Sequence, residues 1–144
     1  MIKYARGAIW WANLDDAEIS KSNRSAQKVR PVLIMSNNEY NATHSTLTVL
    51  PITHQFNADN QEADFRVLID TSAPGKPNDT SYVMCDQIRL IDKKDIENFY
   101  GIISDWEMVK VQLVLMNFLN LDFSTYNHTS AEVENTVADI VEGG

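Results

Sequence analysis

Val29-Arg30-Pro31-Val32-Leu33-Ile34-Met35-Ser36-Asn37 is followed by a second apolar run that ends in Leu50-Pro51-Ile52-Thr53. The pair decides the fold. Pro31 lacks the N–H that a β-ladder needs, so it is expected to begin a strand, with Val32 to Ser36 as its buried body. Thr46 to Thr53, rich in β-branched residues, reads as another strand. An arginine then stands at the mouth of one strand and a threonine at the end of the next. A guanidinium carries a permanent planar charge with five donors, a shape suited to phosphate oxygens, and a hydroxyl adds one more donor. If the strands bring Arg30 and Thr53 together, the product is a small phosphate site that uses no metal.

Working outward, Ala8 to Ala12 reads as a strand after Gly7, and the polar, aperiodic residues 14–28 as a long loop. Residues 37–41 read as a turn or a single helical turn, and residues 54–64 as a second polar loop. Phe65 to Ile69 supplies a fourth strand, followed by the turn formers of residues 72–79. Ser81 to Gln87 and Ile88 to Ile91 read as a fifth strand and its continuation across a bulge. Short strands separated by turns predict a mainly β chain with helices, an α+β fold built as a small barrel rather than a doubly wound sheet.

Two capping boxes mark helices. Ser104-Asp105-Trp106-Glu107 opens a strongly apolar helix reaching about Asn120. Its apolar residues cover more than one face, which implies burial against a partner subunit as well as the core. Thr129-Ser130-Ala131-Glu132 opens a second helix, in which Val133, Val137, Ile140 and Val141 recur at amphipathic spacing. The chain divides into a barrel domain, 1–123, and an acidic extension, 124–144.

The chain has 144 residues, enough for one core. Its net charge of −8 is the wrong sign for a generic nucleic-acid binder. The charge is uneven, however. Lys3, Arg6, Lys21, Arg24, Lys28 and Arg30 outnumber the three acidic residues of the first 31, whereas residues 124–144 carry four acidic residues and no Lys or Arg. The single Cys85 excludes an internal disulfide, and with three scattered histidines it argues against a zinc site. No signal peptide and no membrane-spanning run is evident. A cytoplasmic protein without membrane association, cofactor or metal is expected.

The ordered series Arg6-Gly7-Ala8-Ile9-Trp10-Trp11, Arg30-Pro31-Val32-Leu33, Leu50-Pro51-Ile52-Thr53, Cys85-Asp86-Gln87-Ile88-Arg89 with Ile91-Asp92-Lys93, and Tyr100-Gly101-Ile102-Ile103-Ser104 resembles the MazF/PemK family of toxin endoribonucleases. The resemblance covers residues 4–123. It implies an SH3-like small barrel of the MazF/PemK/CcdB type with a C-terminal helix, working as a homodimer. It further implies cleavage of single-stranded RNA without a metal: the 2′-hydroxyl attacks the adjacent phosphorus, leaving a 2′,3′-cyclic phosphate and a 5′-hydroxyl. The family's catalytic arginine falls on Arg30 and its threonine on Thr53. Gln87 matches a position in the RNA groove, and Asn37, Lys21, Arg24 and Lys28 are further RNA-binding candidates. The implied partners are RNA and a cognate antitoxin, with DNA reached only through the antitoxin complex.

Two departures stand out. Ser25 occupies the place where the family often has a glutamate, so a carboxylate base is missing from its usual position, and Ala8 stands where an aspartate is common. The missing glutamate keeps open a non-catalytic relative that binds RNA or a protein such as DNA gyrase. The ending Val141-Glu142-Gly143-Gly144 is unlike the Trp-Gly-Ile ending of gyrase poisons. His54 reads first as a surface histidine, and Cys85 as an inert core thiol. One of Trp10 and Trp11 is expected in the core, and the other at packing contacts or stacked on a base. The acidic extension is read as a packing element before an inhibitory one. Arg30 taken alone would simply pair with a carboxylate.

Overall fold

The computed structural model describes residues 2–14, 29–53, 65–70, 81–122 and 129–143. Seven strands run in chain order as β1 (Ala8–Asn13), β2 (Val29–Ile34), β3 (Thr46–Thr53), β4 (Arg66–Ile69), β5 (Ser81–Met84), β6 (Arg89–Asp92) and β7 (Ile96–Ile102). Three α-helices accompany them: α1 (Asn38–Thr43), α2 (Asp105–Phe118) and α3 (Ser130–Gly143). The sheet order is β4-β5-β3-β2-β1-β7, with β6 also paired to β3, and every pairing is antiparallel. The expected mainly β, α+β architecture is therefore present.

Both faces of the sheet are covered, because successive side chains of a strand alternate. One face carries Ile9, Leu33, Leu50, Ile52, Val67, Ile69, Val83 and Cys85 against Val111 of α2. The other carries Ala12, Val32, Ile34, Leu47, Val49 and Ile91, with Tyr4, Trp10 and Ile96 packed against them. The central strand β2 serves both cores, which is why it reads as an unbroken apolar run.

β2 begins earlier than the proline suggests. Pro31 is its third residue, opposite Trp11, while pairing with β3 starts only at Val32. The proline thus lies where one side of the strand has no partner in the ladder. The expected break in the fifth strand is real. Ile52 faces Val83 but Val49 faces Arg89, so three residues along β3 correspond to six along β5 and β6. The excess is extruded at Cys85–Ile88. β7 is not predicted by the sequence pattern, since Glu97 and Asn98 interrupt its apolar residues. Its position is fixed instead by pairing with β1 through two register shifts.

The first turn of α1 is capped by Asn37, whose Oδ1 accepts from the Tyr40 N–H at 2.7 Å. Asn41, 2% exposed, donates to the carbonyls of Tyr4 and Ser36 at 2.9 Å each, tying the helix to both flanking segments. The capping box of α2 forms as expected: the Glu107 N–H donates to Ser104 Oγ at 3.1 Å and the Ser104 N–H to Glu107 Oε1 at 2.8 Å. Glu107 is buried, and its Oε2 also accepts from the Asp70 N–H just past β4, so the cap doubles as a clamp between helix and sheet. The helix ends at Phe118, with Asn120 in the left-handed region at φ 55°.

α2 is not enclosed on all sides within the chain: only Glu107 and Val111 are buried, while Leu113 and Met116 are 58% and 46% exposed. The second capping box also forms, between Thr129 and Glu132. The valines and isoleucine of α3 stay largely exposed, Ile140 at 69%. Among the described residues, no helix is long and apolar enough to cross a membrane.

Candidate active site on the β2–β3 face

The β2–β3 register runs Val32 opposite Pro51, Leu33 opposite Leu50 and Ile34 opposite Val49. Continued two residues past Val32 and Pro51, it sets Arg30 level with Thr53. Alternation puts Arg30 on the face of Val32 and Ile34, and Thr53 on the face of Val49. That is one and the same face, turned away from α2. The row continues on both sides. Ala12 stands opposite Arg30 on β1, Tyr82 opposite Thr53 on β5, and Leu68 opposite Tyr82 on β4. Paired neighbours such as Ala12 and Arg30, or Thr53 and Tyr82, lie about 5 Å apart and share a face. The small Ala12 leaves room beside the arginine stem, and the buried Tyr82 ring walls the far side of the threonine.

Arg30 and Thr53 are both half-buried, at the rim where the second core ends. Among the described residues, none hydrogen-bonds to the Arg30 guanidinium or forms an ion pair with it. A charged donor held at a partly dry rim with no anion beside it is positioned to take one from outside.

The other candidates are distributed unevenly. Gln87 sits half-buried in the extruded turn between β5 and β6, where its N–H donates to the Met84 carbonyl at 3.3 Å. That turn passes Leu50 and Pro51 of β3, close along the strand to Thr53. Asn37 is not brought to the pair. It follows the opposite end of β2, and its side-chain oxygen is committed to the α1 cap. Lys21, Arg24, Lys28, Ser25, His54 and His128 lie outside the described residues.

Trp10 meets Tyr4 edge-on at 5.1 Å and Phe99 at 5.4 Å, and Trp11 meets Tyr100 at 4.7 Å, so both indoles have partners within the chain. Cys85 is fully buried, and burial, with a smaller push from the Asp86 carboxylate, raises its thiol to about 11. It is a core group, not a nucleophile. Among the described residues, no group of three His, Cys, Asp or Glu side chains is placed to hold a metal ion.

Sequence reasoning missed Tyr82 and Arg66, which share this face. Alternation in Ser81-Tyr82-Val83-Met84 hinted that Tyr82 and Val83 point opposite ways, but which of them faces Thr53 depends on the β3–β5 register. It also missed Arg6, whose Nε donates to the Met35 carbonyl at 2.9 Å and Nη2 to Gln112 Oε1 at 2.8 Å. Arg6 edges an apolar cavity of about 390 Å³ along α2, lined by Leu113 and Met116 among others, on the far side of the sheet from Arg30.

A family model described as a PemK-like, MazF-like toxin of type II toxin–antitoxin systems matches residues 5–119. Comparison with curated protein sequences gave no match. Among solved structures, an endoribonuclease from a mycobacterial species in complex with its cognate antitoxin is 22% identical, with a TM-score of 0.63 over 82% of this chain and 96% of that one. The toxin MazF-mt6 of Mycobacterium tuberculosis is 23% identical, with a TM-score of 0.62 over 80% and 98%. The MazE–MazF complex of Deinococcus radiodurans gives 19% identity and a TM-score of 0.58 over 80% and 93%. At these identities the likeness is one of fold.

Proposed function

This chain belongs to the PemK-like, MazF-like toxin family of type II toxin–antitoxin systems, and on that premise we propose that it is an endoribonuclease acting on single-stranded RNA. The observation that carries the reading is the shared row of Arg30 and Thr53 on one sheet face, with the guanidinium unpaired among the described residues. In the proposed reaction the 2′-oxygen attacks the neighbouring phosphorus as the bond to the 5′-oxygen breaks, giving a 2′,3′-cyclic phosphate and a 5′-hydroxyl. Negative charge gathers on the nonbridging oxygens. Donors fixed there in advance are the largest available catalytic lever, worth roughly 3–4 kcal/mol each. Arg30 supplies the charge and Thr53 a hydroxyl, so the chain's own donors carry this step without a metal.

The partners follow the same premise. The solved mycobacterial relative is a complex with its cognate antitoxin and the Deinococcus relative a MazE–MazF complex, which supports a cognate antitoxin for this chain. The bare apolar surface of α2 around Leu113 and Met116 supports a homodimer. Residues 124–144 form an extension beyond the toxin domain, and the cytoplasm, where mRNA is, is the proposed place of action.

The test is incubation of the purified protein with single-stranded RNA in EDTA. Fragments ending in 2′,3′-cyclic phosphate are expected from the wild type and not from Arg30→Ala. Intact RNA with the wild type, or unchanged cutting by Arg30→Ala, overturns the reading.

A further inference from the structure

We propose that Arg66 is a second phosphate-binding residue on this face, gripping the RNA backbone away from the cut. The inference rests on the ribonuclease reading above and extends it to a binding track. Arg66 pairs with Met84, and the next position on that face, Leu68, pairs with Tyr82, which in turn faces Thr53. Val67 and Ile69 point into the core beneath α2, so Arg66 and Leu68 point the other way, onto the face of Arg30 and Thr53.

Arg66 shares the unusual condition of Arg30. It is half-buried, its Nε is covered and has no acceptor, and no described carboxylate pairs with it. A covered, charged donor left without an acceptor costs on the order of 1–3 kcal/mol or more, and a missing ligand is one accepted reason for it. The Nη donors, which are not covered, are the ones open to a phosphate, whose oxygens take two N–H groups of one guanidinium together.

Strand spacing sets the scale. β2 and β4 are three steps of about 4.8 Å apart and Arg66 lies two residues, about 6.6 Å, further along its strand, so the two backbone positions stand roughly 16 Å apart measured over the sheet. That exceeds the reach of a single phosphate and fits two phosphates of one strand of RNA. Between them lie the half-buried Met84 and the 52% exposed Leu68, beside the buried Tyr82 ring. This is an apolar shelf of the kind on which unpaired bases rest.

The experiment measures binding of a mixed-sequence 2′-O-methyl RNA dodecamer, which lacks the attacking hydroxyl, as a function of salt. Cleavage of long RNA and of dinucleotides is followed in parallel for the wild type, Arg66→Ala and Arg66→Gln. Loss of one phosphate contact is expected to lower the slope of log K against log salt by about 0.7. Both variants should bind the dodecamer about 5–20-fold more weakly, about one power of ten per 1.4 kcal/mol. Their kcat/KM on long RNA should fall, through KM more than through kcat, and by a larger factor than on dinucleotides. Arg66→Gln keeps most of the packed stem, so agreement between the variants separates lost charge from lost fold. Wild-type slope and affinity in Arg66→Gln, with the wild type cutting RNA, overturns the role of Arg66 and leaves the ribonuclease reading standing. A defect seen only in binding an acidic peptide also overturns it. A wild type that neither binds nor cuts RNA removes the underlying reading and this proposal with it.

Discussion

Arg30 on β2 and Thr53 on β3 lie on one face of the sheet, the face that does not meet α2, each two residues beyond the last β2–β3 pair, Val32 and Pro51. They are 23 positions apart in the chain, and only antiparallel pairing makes them neighbours. If both donors address one phosphoryl group, their effects are coupled. Arg30→Ala and Thr53→Val should each slow RNA cleavage by about 10²–10³. The double variant should be slower by less than the product of the two, as groups acting on one transition state are non-additive. Single-turnover rates for the four proteins of the cycle check this; strict additivity would show that the two act at separate places.

Glu107 caps α2 through Ser104 and holds the Asp70 N–H from a buried position. Glu107→Ala should therefore cost more than loss of a cap alone, about 3 kcal/mol, against about 1 kcal/mol for Ser104→Ala. Urea unfolding midpoints measure both. Equal costs would mean that the link to Asp70 contributes nothing.

Asn41 satisfies two backbone carbonyls and accepts from Ser36 Oγ while 2% exposed. Asn41→Leu keeps the volume but strands those groups, at an expected cost of about 2–4 kcal/mol. Thermal unfolding reads the loss.

The Cys85 thiol is held near 11, above its ordinary value of 9.0, mainly by burial. It should resist iodoacetamide at neutral pH until the chain unfolds. Between about pH 9 and 11 the unfolded chain gives up this proton while the folded one keeps it. Stability from this group is therefore complete below pH 9 and falls as pH rises, by on the order of 2–3 kcal/mol at the upper end. Comparison of urea stability across that range with Cys85→Val isolates the effect from other titrating groups. A constant difference between the two proteins would show that the shift is absent.

Leu113 and Met116 expose apolar surface beside the cavity along α2. If a second copy covers this face, Leu113→Asp should leave circular dichroism unchanged and convert a dimer into a monomer in sedimentation. A monomeric wild type removes the expectation.

Much of this was legible in the sequence because it is settled locally. The capping boxes at Ser104 and Thr129 need only residues three apart, and both formed. Strands β1 to β6 declared themselves through β-branched and aromatic residues between turn formers. Pro31 misled by two residues because a proline's tolerance depends on which neighbour pairs beside it, and that neighbour is distant in the chain. β7 stayed hidden because its stability comes from β1 rather than from its own alternation.

Residue types and their order thus determined the helices and six of the seven strands of the described residues, the family likeness and the two side chains on which the proposed chemistry rests. Tertiary structure alone decided that Arg30 shares a row with Thr53, that Tyr82 and Arg66 lie on the same face, and that Asn37 stands at the other end of β2. The physical reason is register. A strand's local sequence fixes which residues alternate, but only pairing with a remote strand fixes which residue lies opposite which, and a shift of one position turns every side chain to the other face.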